Sequence, residues 1–570
     1  MSSASDASFL LEVPDHDSVF SVLSFNASEE ISSTFEVNLT VSCTDEIAFE
    51  SLQLQEALFT IIGKQTDRYF HGLIRKFRQS GKINRNYIYQ VQIVPTLHFL
   101  YLKENCRIFQ KKSVKEITGT ILEEHDIAGD KVEWRLANDL PPRRFCVQYQ
   151  ESDLEFISRL LEEEGIFFFF EHYADKHVLV FCDTEAFYRD IEGDATLSFN
   201  SNDGLVAEKE SVKSFAVSER TRSGKFIHKN YNFKHPSLDL STEDKGDGLD
   251  ELFSYEYHGL YGNTERGKHL ATVRLQEIHT LKKKGRGISN IPRLTPGATF
   301  TLSDHPCSQF NDSHLIVEVM HEGKQPQAIG EFASGEAARY SNVLMVIPSE
   351  VIYRPERITP KPIVPGIQTA TVTGPPGEDI NVDKYGRVKV QFHWDKDGNK
   401  DDNTSCWLRV NQFWNGATRG SQFIPRVGDE VLVAFVNGDM DFPIILGSAI
   451  NEAKQPTYNL PANKTQSGIR TRSTPGGGPN NFNELRFEDK KGAEEVYLQS
   501  EKDWNILVKN DKGQMVGGNS NTTVEKSLSK TAEDITLTAN SRITIVCGGS
   551  TITLDPSGIT IKGGTIRMNE

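Results

Sequence analysis

The last forty residues, Thr531–Glu570, constrain the fold more than any other part of the chain, and sixteen of them are Thr, Ile or Val. Apolar and polar side chains alternate there in five runs that are separated by small or polar residues. The runs are Ile535-Thr-Leu-Thr, Ile543-Thr-Ile-Val, Thr551-Ile-Thr-Leu, Ile559-Thr-Ile-Lys and Thr565-Ile-Arg-Met. This alternation predicts short strands with one apolar face each. Their step of about eight residues predicts a prism-like or helical stack.

A single copy of this stack cannot bury enough apolar surface to be stable. Each strand offers about two inward side chains at ~1.5–3 kcal/mol each, whereas ordering the backbone costs ~1–2 kcal/mol per residue. Three copies around one axis would cover one another's apolar faces and hide the strand edges. No aromatic residue follows Trp504, which suits a narrow core. The pattern predicts a trimeric needle over residues 496–570 with a core of Ile535, Leu537, Ile543, Ile545, Ile552, Leu554, Ile559, Ile561 and Ile566.

A compact all-β segment is expected before the needle, at residues 361–455. Prolines cluster at Ile352–Gly377 and mark the boundary in front of it. Short strands with glycine turns predict a small barrel of the OB type. Residues 456–495, with the loop Thr474–Asn481, are predicted to form a neck. The strand-like patterns of the barrel are Gly386–Trp394, Cys406–Val410, Pro425–Val436 and Ile444–Gly447.

Residues 1–360 combine strands with a few well-marked helices. Ser113 with Glu116, and Ser152 with Glu155, form capping boxes that predict two helix starts. Gly165 is placed to end the second helix in the left-handed conformation. The other predicted elements are strands at Phe35–Thr40, Leu58–Ile62, Tyr87–Ile93 and Ile166–Phe170, and a helix at Arg266–His279.

Three strings carry a family resemblance: Glu151–Phe170, Lys389–Asp395 and Pro425–Val431. They resemble the VgrG family, the spike proteins of type VI secretion systems, which are similar to the hub and spike proteins of contractile phage tails. The resemblance implies a mainly β fold with a few helices. It implies a hub-like head of two β-barrels over residues 1–360, then the OB-fold barrel, the neck and a triple-stranded needle.

The resemblance also implies a structural function and not an enzymatic one. In this family a homotrimer caps the Hcp tube with its head, contacts baseplate components, punctures the target envelope with transient membrane contact, and carries a PAAR-type protein and effectors or their adaptors. The chain ends directly after the last run, so we expect no further effector domain and a bare strand end that a PAAR-type protein binds by strand pairing. This predicted tip comprises Gly563, Gly564, Thr565, Ile566, Arg567, Met568, Asn569 and Glu570.

The net charge and the lack of targeting signals narrow the classes of function and the cellular locations that fit the chain. The formal net charge of −16 opposes nucleic-acid binding, because like charges repel. Met1–Ser8 lack the cationic and apolar regions of a Sec signal. No run approaches the ~20 apolar residues that span a bilayer. We therefore expect assembly in the cytoplasm and export through the type VI apparatus, to the outside or to the target periplasm.

No residue pattern points to catalysis, a cofactor or a metal. The seven cysteines contain no C-x-x-C pair and are expected to be buried free thiols. His314 and His321 do not have the spacing of a zinc motif. Asp395–Asp402 lacks the final Glu of a calcium loop and is expected to be a solvated loop. Glu162–Glu164 are expected to face solvent at a helix end.

Two other functions fit parts of the sequence. A hub and spike protein of a phage tail or a related injection particle would have the same architecture. The neighbouring genes would distinguish it from a type VI spike. An envelope polysaccharide hydrolase would need aromatic platforms and acidic pairs on the needle. The lack of aromatic residues after Trp504 opposes that function.

Overall fold

The computed structural model describes residues 8–14, 16–201, 209–259, 261–325 and 338–568. Strands dominate this part of the chain, which contains three α-helices. Two compact units are present, Met1–Leu498 and Gln499–Glu570. Among the described residues, none of the helices has both the length and the apolar character needed to cross a bilayer.

The amino-terminal part of the first unit is a closed barrel of six strands. They are β1 (Phe9–Glu12), β2 (Phe20–Glu30), β3 (Glu36–Cys43), β4 (Glu56–Ile61), β5 (Arg68–Ile83) and β6 (Asn86–Val94). Their order is β1-β4-β5-β6-β3-β2, and β1 also pairs with β2, which closes the ring. Alternate side chains such as Val37, Leu39 and Val41 point into the core, as the period-two pattern predicts.

A helical insertion follows the first barrel. It contains β7 (Glu104–Phe109), α1 (Val114–Glu123), β8 (Val132–Arg135), β9 (Cys146–Ser152), α2 (Asp153–Glu164), β10 (Phe167–His172) and β11 (His177–Cys182). Ser113 and Ser152 both make the predicted capping boxes. Gly165 ends α2 with φ 71°, and Phe167–Phe170 of β10 are all buried. The predicted starts of α1 and α2 and the predicted end of α2 are confirmed, whereas the strand predicted at Ile166–Phe170 spans Phe167–His172.

A second barrel and a small helix-covered sheet follow. Their elements are β12 (Arg189–Asp190), β13 (Thr196–Ser198), β14 (Val212–Glu219), β15 (Ser223–Asn230), β16 (Leu240–Lys245), β17 (Leu249–Tyr257), α3 (Thr264–Thr280), β18 (Lys283–Ser289), β19 (Ala298–Ser303), β20 (Ser313–Lys324) and β21 (Arg339–Pro348). The order β14-β18-β21-β20-β19-β13 closes through a bridge between Phe199 and Val212. Pairing of β2 with β20 joins the two barrels, and α3 packs on the sheet of β15–β17.

A buried ion pair lies where the two barrels meet. Arg68 Nη2 lies 2.6 Å from the Glu29 carboxylate, and the Nε2 atoms of His172 and His321 each lie 3.4 Å from it. Burial would raise the pKa of Glu29, but Arg68, His172 and His321 together outweigh burial and hold it well below its usual range. Burial lowers the pKa of His172 to about 4. The ionised carboxylate therefore links strands of both barrels.

The next segment is the collar, which we define as residues 368–449. It contains β22 (Gln368–Thr373), β23 (Lys389–Phe392), β24 (Arg409–Val410), β25 (Asn415–Gly416), β26 (Arg419–Gly420), β27 (Glu430–Phe435) and β28 (Pro443–Ala449). Five strands run in the order β23-β22-β27-β28-β24, and a bridge between Val388 and Leu408 connects the two ends. Val388, Val390 and Phe392 are buried, as their alternation predicts. The five-stranded closed sheet agrees with the expected OB barrel.

Two small antiparallel sheets complete the described chain. The neck sheet consists of β29 (Gln466–Arg470), β30 (Glu484–Glu488) and β31 (Glu495–Gln499), and the needle sheet of β32 (Ile543–Cys547), β33 (Ser550–Asp555) and β34 (Gly558–Lys562). The predicted loop Thr474–Asn481 lies between β29 and β30. The predicted strands at Ile535–Thr538 and Thr565–Met568 are wrong for the single chain, because neither run has a pairing partner within it.

Candidate assembly interface

The needle sheet has one apolar face and one polar face. Cross-strand register places six of the predicted core residues in two adjacent rows on the same face. The rows are Ile545–Ile552–Ile561 and Ile543–Leu554–Ile559. The opposite face carries the row Thr544–Thr553–Thr560. The sheet therefore presents a continuous aliphatic surface that nothing in its own three strands covers.

This aliphatic surface is open to solvent in the single chain. Ile559 is 70% exposed, and Ile561 is 50% exposed. Burying one such side chain contributes ~1.5–3 kcal/mol, so six on one face provide a strong driving force for association. Ile535, Leu537 and Ile566 are also exposed, but they lie outside the strands. That all nine residues form a trimer core stays a prediction.

The neck sheet also presents exposed apolar side chains, which the sequence analysis did not identify. Ile469 lies opposite Leu485, and Phe487 is on the same face two residues further along β30. All three are exposed. The alternation of Glu484-Leu-Arg-Phe-Glu was a visible signal, but a neck had been inferred there from the nearby glycines and prolines.

The predicted tip follows the edge of the needle sheet. Among the described residues, β34 pairs with β33 only. Gly563–Met568 form no strand, and Ile566 and Met568 are exposed. Asn569 and Glu570 lie outside the described residues. The tip as a partner-binding site therefore stays a prediction.

The head, which comprises both barrels and their insertions up to Pro348, is joined to the collar by a shared core. Phe145 and Val147, on and beside β9 of the head, are buried in the same cluster as Val390, Leu408 and Val433 of the collar. The collar barrel therefore completes its apolar core with side chains from the head. This arrangement fixes the orientation of one domain on the other.

A partly buried lysine reinforces this joint. Lys361 Nζ lies 2.8 Å from Asp439 Oδ1 and 2.7 Å from Asp441 Oδ2. Asp441 also accepts a hydrogen bond of 2.8 Å from the backbone N–H of Val147 in the head. Burial would lower the pKa of Lys361, but the carboxylates of Asp441 and Glu163 outweigh burial and raise it. The ammonium group therefore stays charged between head and collar.

The glutamates at the end of α2 belong to the same joint, and the prediction that they face solvent is wrong. Arg143 Nη1 lies 2.6 Å from Glu163 Oε2, and its Nη2 lies 2.8 Å from Glu164 Oε1. Glu162 accepts a hydrogen bond of 2.7 Å from the Thr359 hydroxyl. Burial would raise the pKa of Glu163, but the positive charges of Arg143, Lys361 and Arg159 together outweigh burial and lower it to about 2. These distant partners offset the unfavourable position at a helix carboxyl end.

Metal-ligating side chains and thiols are the two groups of residues that the sequence offers for chemistry. In the part of the chain that the structure describes, no three or more His, Cys, Asp or Glu side chains are placed to hold a metal ion. All seven cysteines are free. The prediction of burial is confirmed for Cys43, Cys146, Cys182 and Cys406. It is wrong for Cys307 and Cys547, which lie beside exposed turns, and Cys106 is only partly buried.

Three family models match these segments. The model described as phage tail baseplate hub (GPD) matches residues 28–327. The type VI secretion system/phage-baseplate injector OB domain matches residues 377–449. The bacteriophage T4 gp5 C-terminal trimerisation domain matches residues 467–554. The matched ranges cover the two barrels except β1, most of β2 and β21, the collar after β22, and a segment that runs from the neck sheet through β32 and nearly all of β33.

Curated proteins are similar over most of the chain. Type VI secretion system spike protein VgrG5 of Pseudomonas aeruginosa is 39% identical over 535 residues, which are 92% of this chain and 67% of that protein. VgrG4b of the same organism is 38% identical over 88% of this chain and 63% of that protein. The actin cross-linking toxin VgrG1 of Vibrio cholerae is 34% identical over 94% of this chain and 47% of that protein. The chain thus spans 47–67% of the length of these relatives.

Solved structures share the fold at lower identity. The Escherichia coli c3393 protein, a type VI secretion component with structural similarity to T4 tail proteins gp27 and gp5, has a TM-score of 0.58 and 23% identity. The match covers 77% of this chain and 99% of the c3393 chain. A chain of the Francisella PdpA–VgrG complex has a TM-score of 0.55 and 11% identity, and covers 95% of this chain and 83% of that one.

Proposed function

Because the chain belongs to the VgrG family of type VI secretion spike proteins, we propose that it acts as a homotrimeric spike that delivers other proteins across a target envelope and catalyses no reaction itself. The two aliphatic rows on the needle sheet carry this proposal. A face of six apolar side chains requires a cover, and the match to a trimerisation domain supports two further copies as that cover.

A trimeric needle would supply the stiffness that puncturing needs. Three copies wound together would bury the aliphatic rows along the axis and turn the threonine rows to solvent. Many ladder hydrogen bonds would then have to break at once for the shaft to bend. The needle would contact the target membrane transiently, during passage.

The two ends of the spike would take different partners. We place the Hcp tube and baseplate components at the head, because its closed barrels have the hub fold. We place a PAAR-type protein at Gly563–Glu570, directly after β34, whose outer edge has no strand partner among the described residues. Effectors or their adaptors would be carried bound to the Hcp tube or to the PAAR-type protein. The spike would be assembled in the cytoplasm and leave through the type VI apparatus.

A matched pair of substitutions on one strand tests the trimer. Ile552→Asp places a charge in the aliphatic row, whereas Thr553→Asp places the same charge on the opposite face. We expect light scattering to give a trimer for the wild type and Thr553→Asp, and a monomer for Ile552→Asp, because an unpaired buried carboxylate is strongly disfavoured. A monomeric wild type, or equal effects of both variants, would refute the proposal.

The match to a phage baseplate hub favours one alternative function, the spike of a phage tail or a related injection particle. The trimer would be the same in both cases. Co-purification separates them, because a secretion spike should bring down Hcp and a phage spike should bring down tail-tube protein.

A further inference from the structure

Three aromatic rings stand exposed on a hairpin of the collar. Phe413 is 80% exposed, Trp414 57% and Phe423 49%. They flank the hairpin formed by β25 and β26, and the rings of Phe413 and Phe423 lie with their centroids 6.3 Å apart. Large rings clustered at this exposure are typical of a contact surface.

The hairpin holds these rings in a fixed arrangement. The side chain of Gln412 donates a hydrogen bond of 2.9 Å to the Phe423 carbonyl and accepts one of 2.8 Å from its N–H. The Ser421 N–H donates to the Trp414 carbonyl at 2.9 Å. Gly420 has φ 131°, and a Cβ there would lie 2.5 Å from that carbonyl. A preformed surface loses little conformational entropy when it is covered.

The hairpin lies next to the segment that matches the trimerisation domain. Its return limb passes from Phe423 to Arg426, whose Nη2 donates a hydrogen bond of 2.8 Å to the Arg472 carbonyl in the neck. Thr474 of the neck donates to Asp379 of the collar, also at 2.8 Å. The trimerisation match begins at residue 467. Trimerisation would therefore bring three collars, and their hairpins, close to one another.

The exposed area of these three rings indicates which kind of partner the hairpin could bind. At ~150–250 Å² for a whole aromatic side chain, the exposed fractions leave about 400 Å² per copy. Two free proteins need about 800 Å² each for a stable interface. A patch of half that size is sufficient when the partner is already tethered, because linkage gives effective concentrations of about millimolar.

We infer that Phe413, Trp414 and Phe423 form a clasp that packs on the collar of a second copy of this chain within the trimer. The clasp would fix the three collars against one another, independently of the needle core. This inference rests on the proposed trimeric spike, and it adds an interface outside the needle.

Photo-crosslinking in the full-length protein tests the clasp. Trp414 is replaced with p-benzoylphenylalanine, which keeps an aromatic ring at the tip, and the purified protein is irradiated. We expect crosslinked dimers and trimers on a denaturing gel, with a yield that follows the fraction of trimer measured by light scattering. Phe423→Ser in the same protein should lower that yield several-fold, because it removes the stacked ring.

Two controls separate this inference from the proposed function. Ile552→Asp combined with the same probe should abolish crosslinking if the needle alone creates the trimer. If light scattering shows a wild-type monomer, the proposed function itself fails. If the wild type is a trimer but the probe at residue 414 gives no link between copies, only the clasp is refuted, and the rings would face another protein.

Discussion

Lys361 illustrates how a single partly buried charge can fix the orientation of two domains. It lies among the prolines that separate head from collar, and its ammonium group contacts Asp439 and Asp441 of the collar. Asp441 in turn accepts a hydrogen bond from Val147 in the head. Apolar packing alone tolerates small slips, whereas a buried ion pair has one favourable geometry. The joint therefore has a defined orientation as well as a shared core.

Removing the charge should weaken this joint strongly. Lys361→Met would leave the largely buried Asp439 and Asp441 without their cation, and breaking an ion pair in this way costs up to about 3–5 kcal/mol, the full amount applying when both partners are completely buried. We expect a large fall in the denaturation midpoint of the first unit, measured with guanidinium chloride. Lys229→Met is the matched control, since Lys229 forms an exposed pair with Asp239 at 3.6 Å, and it should leave the midpoint unchanged. Equal shifts for both variants would contradict a special role for Lys361.

Long-range partners explain which residue-level predictions failed. The capping boxes of Ser113 and Ser152 were predictable because each partner lies three residues away. Glu163 was assigned to solvent because its partner Arg143 is distant in sequence and only the fold brings them together. Lys361 gave no signal for the same reason. Local chemistry was readable from the sequence, and contacts between domains were not.

At the scale of elements, the end of α2 depends on a glycine that any other residue would replace only with strain. Gly165 has φ 71°, and a Cβ there would lie 2.5 Å from Val273 Cγ1 of α3. The chain then turns directly into the buried strand β10. The left-handed conformation and the close packing of α3 therefore both require the absence of a side chain.

Alanine substitution at two glycines should have opposite effects. Gly165→Ala combines left-handed strain with the contact on Val273, and we expect a loss of about 1–3 kcal/mol in unfolding free energy. Gly119→Ala lies inside α1, where a Cβ would meet no other atom, and it should gain about 0.5–1 kcal/mol. Denaturant titration followed by circular dichroism measures both. If Gly165→Ala left the unfolding free energy unchanged, the backbone at the end of α2 would have to rearrange without cost, and the predicted strain would be refuted.

The strands were predictable only where their partners follow in the same chain. The alternation at Ile543, Thr551 and Ile559 gave three real strands, because each turns back onto the next. The same pattern at Ile535 and Thr565 gave none. The aromatic hairpin of the collar was also not predicted, since exposed rings have no periodic pattern. Alternation therefore identifies the apolar face of a strand but does not supply the strand's partner.

At the scale of the whole molecule, the two units have different sources of stability. The first unit contains extensive buried cores in both barrels and in the collar. In the second unit, every described residue is at least partly exposed in the single chain. Since folding must offset ~1–2 kcal/mol of backbone entropy per residue, we expect the first unit to fold alone and the second to need further copies of the chain. Stability of the second unit should therefore depend on protein concentration.

Hydrogen exchange at several protein concentrations tests this difference. Anything that binds only the folded state stabilises it by mass action, so dilution should speed exchange in β32–β34 while β20 and β21 stay protected. The Ile552→Asp variant should show fast exchange in β32–β34 at every concentration, because it removes the interface. Protection of β32–β34 that persists when light scattering shows a monomer would mean that the needle sheet folds by itself. The physical basis for a trimeric spike would then be lost.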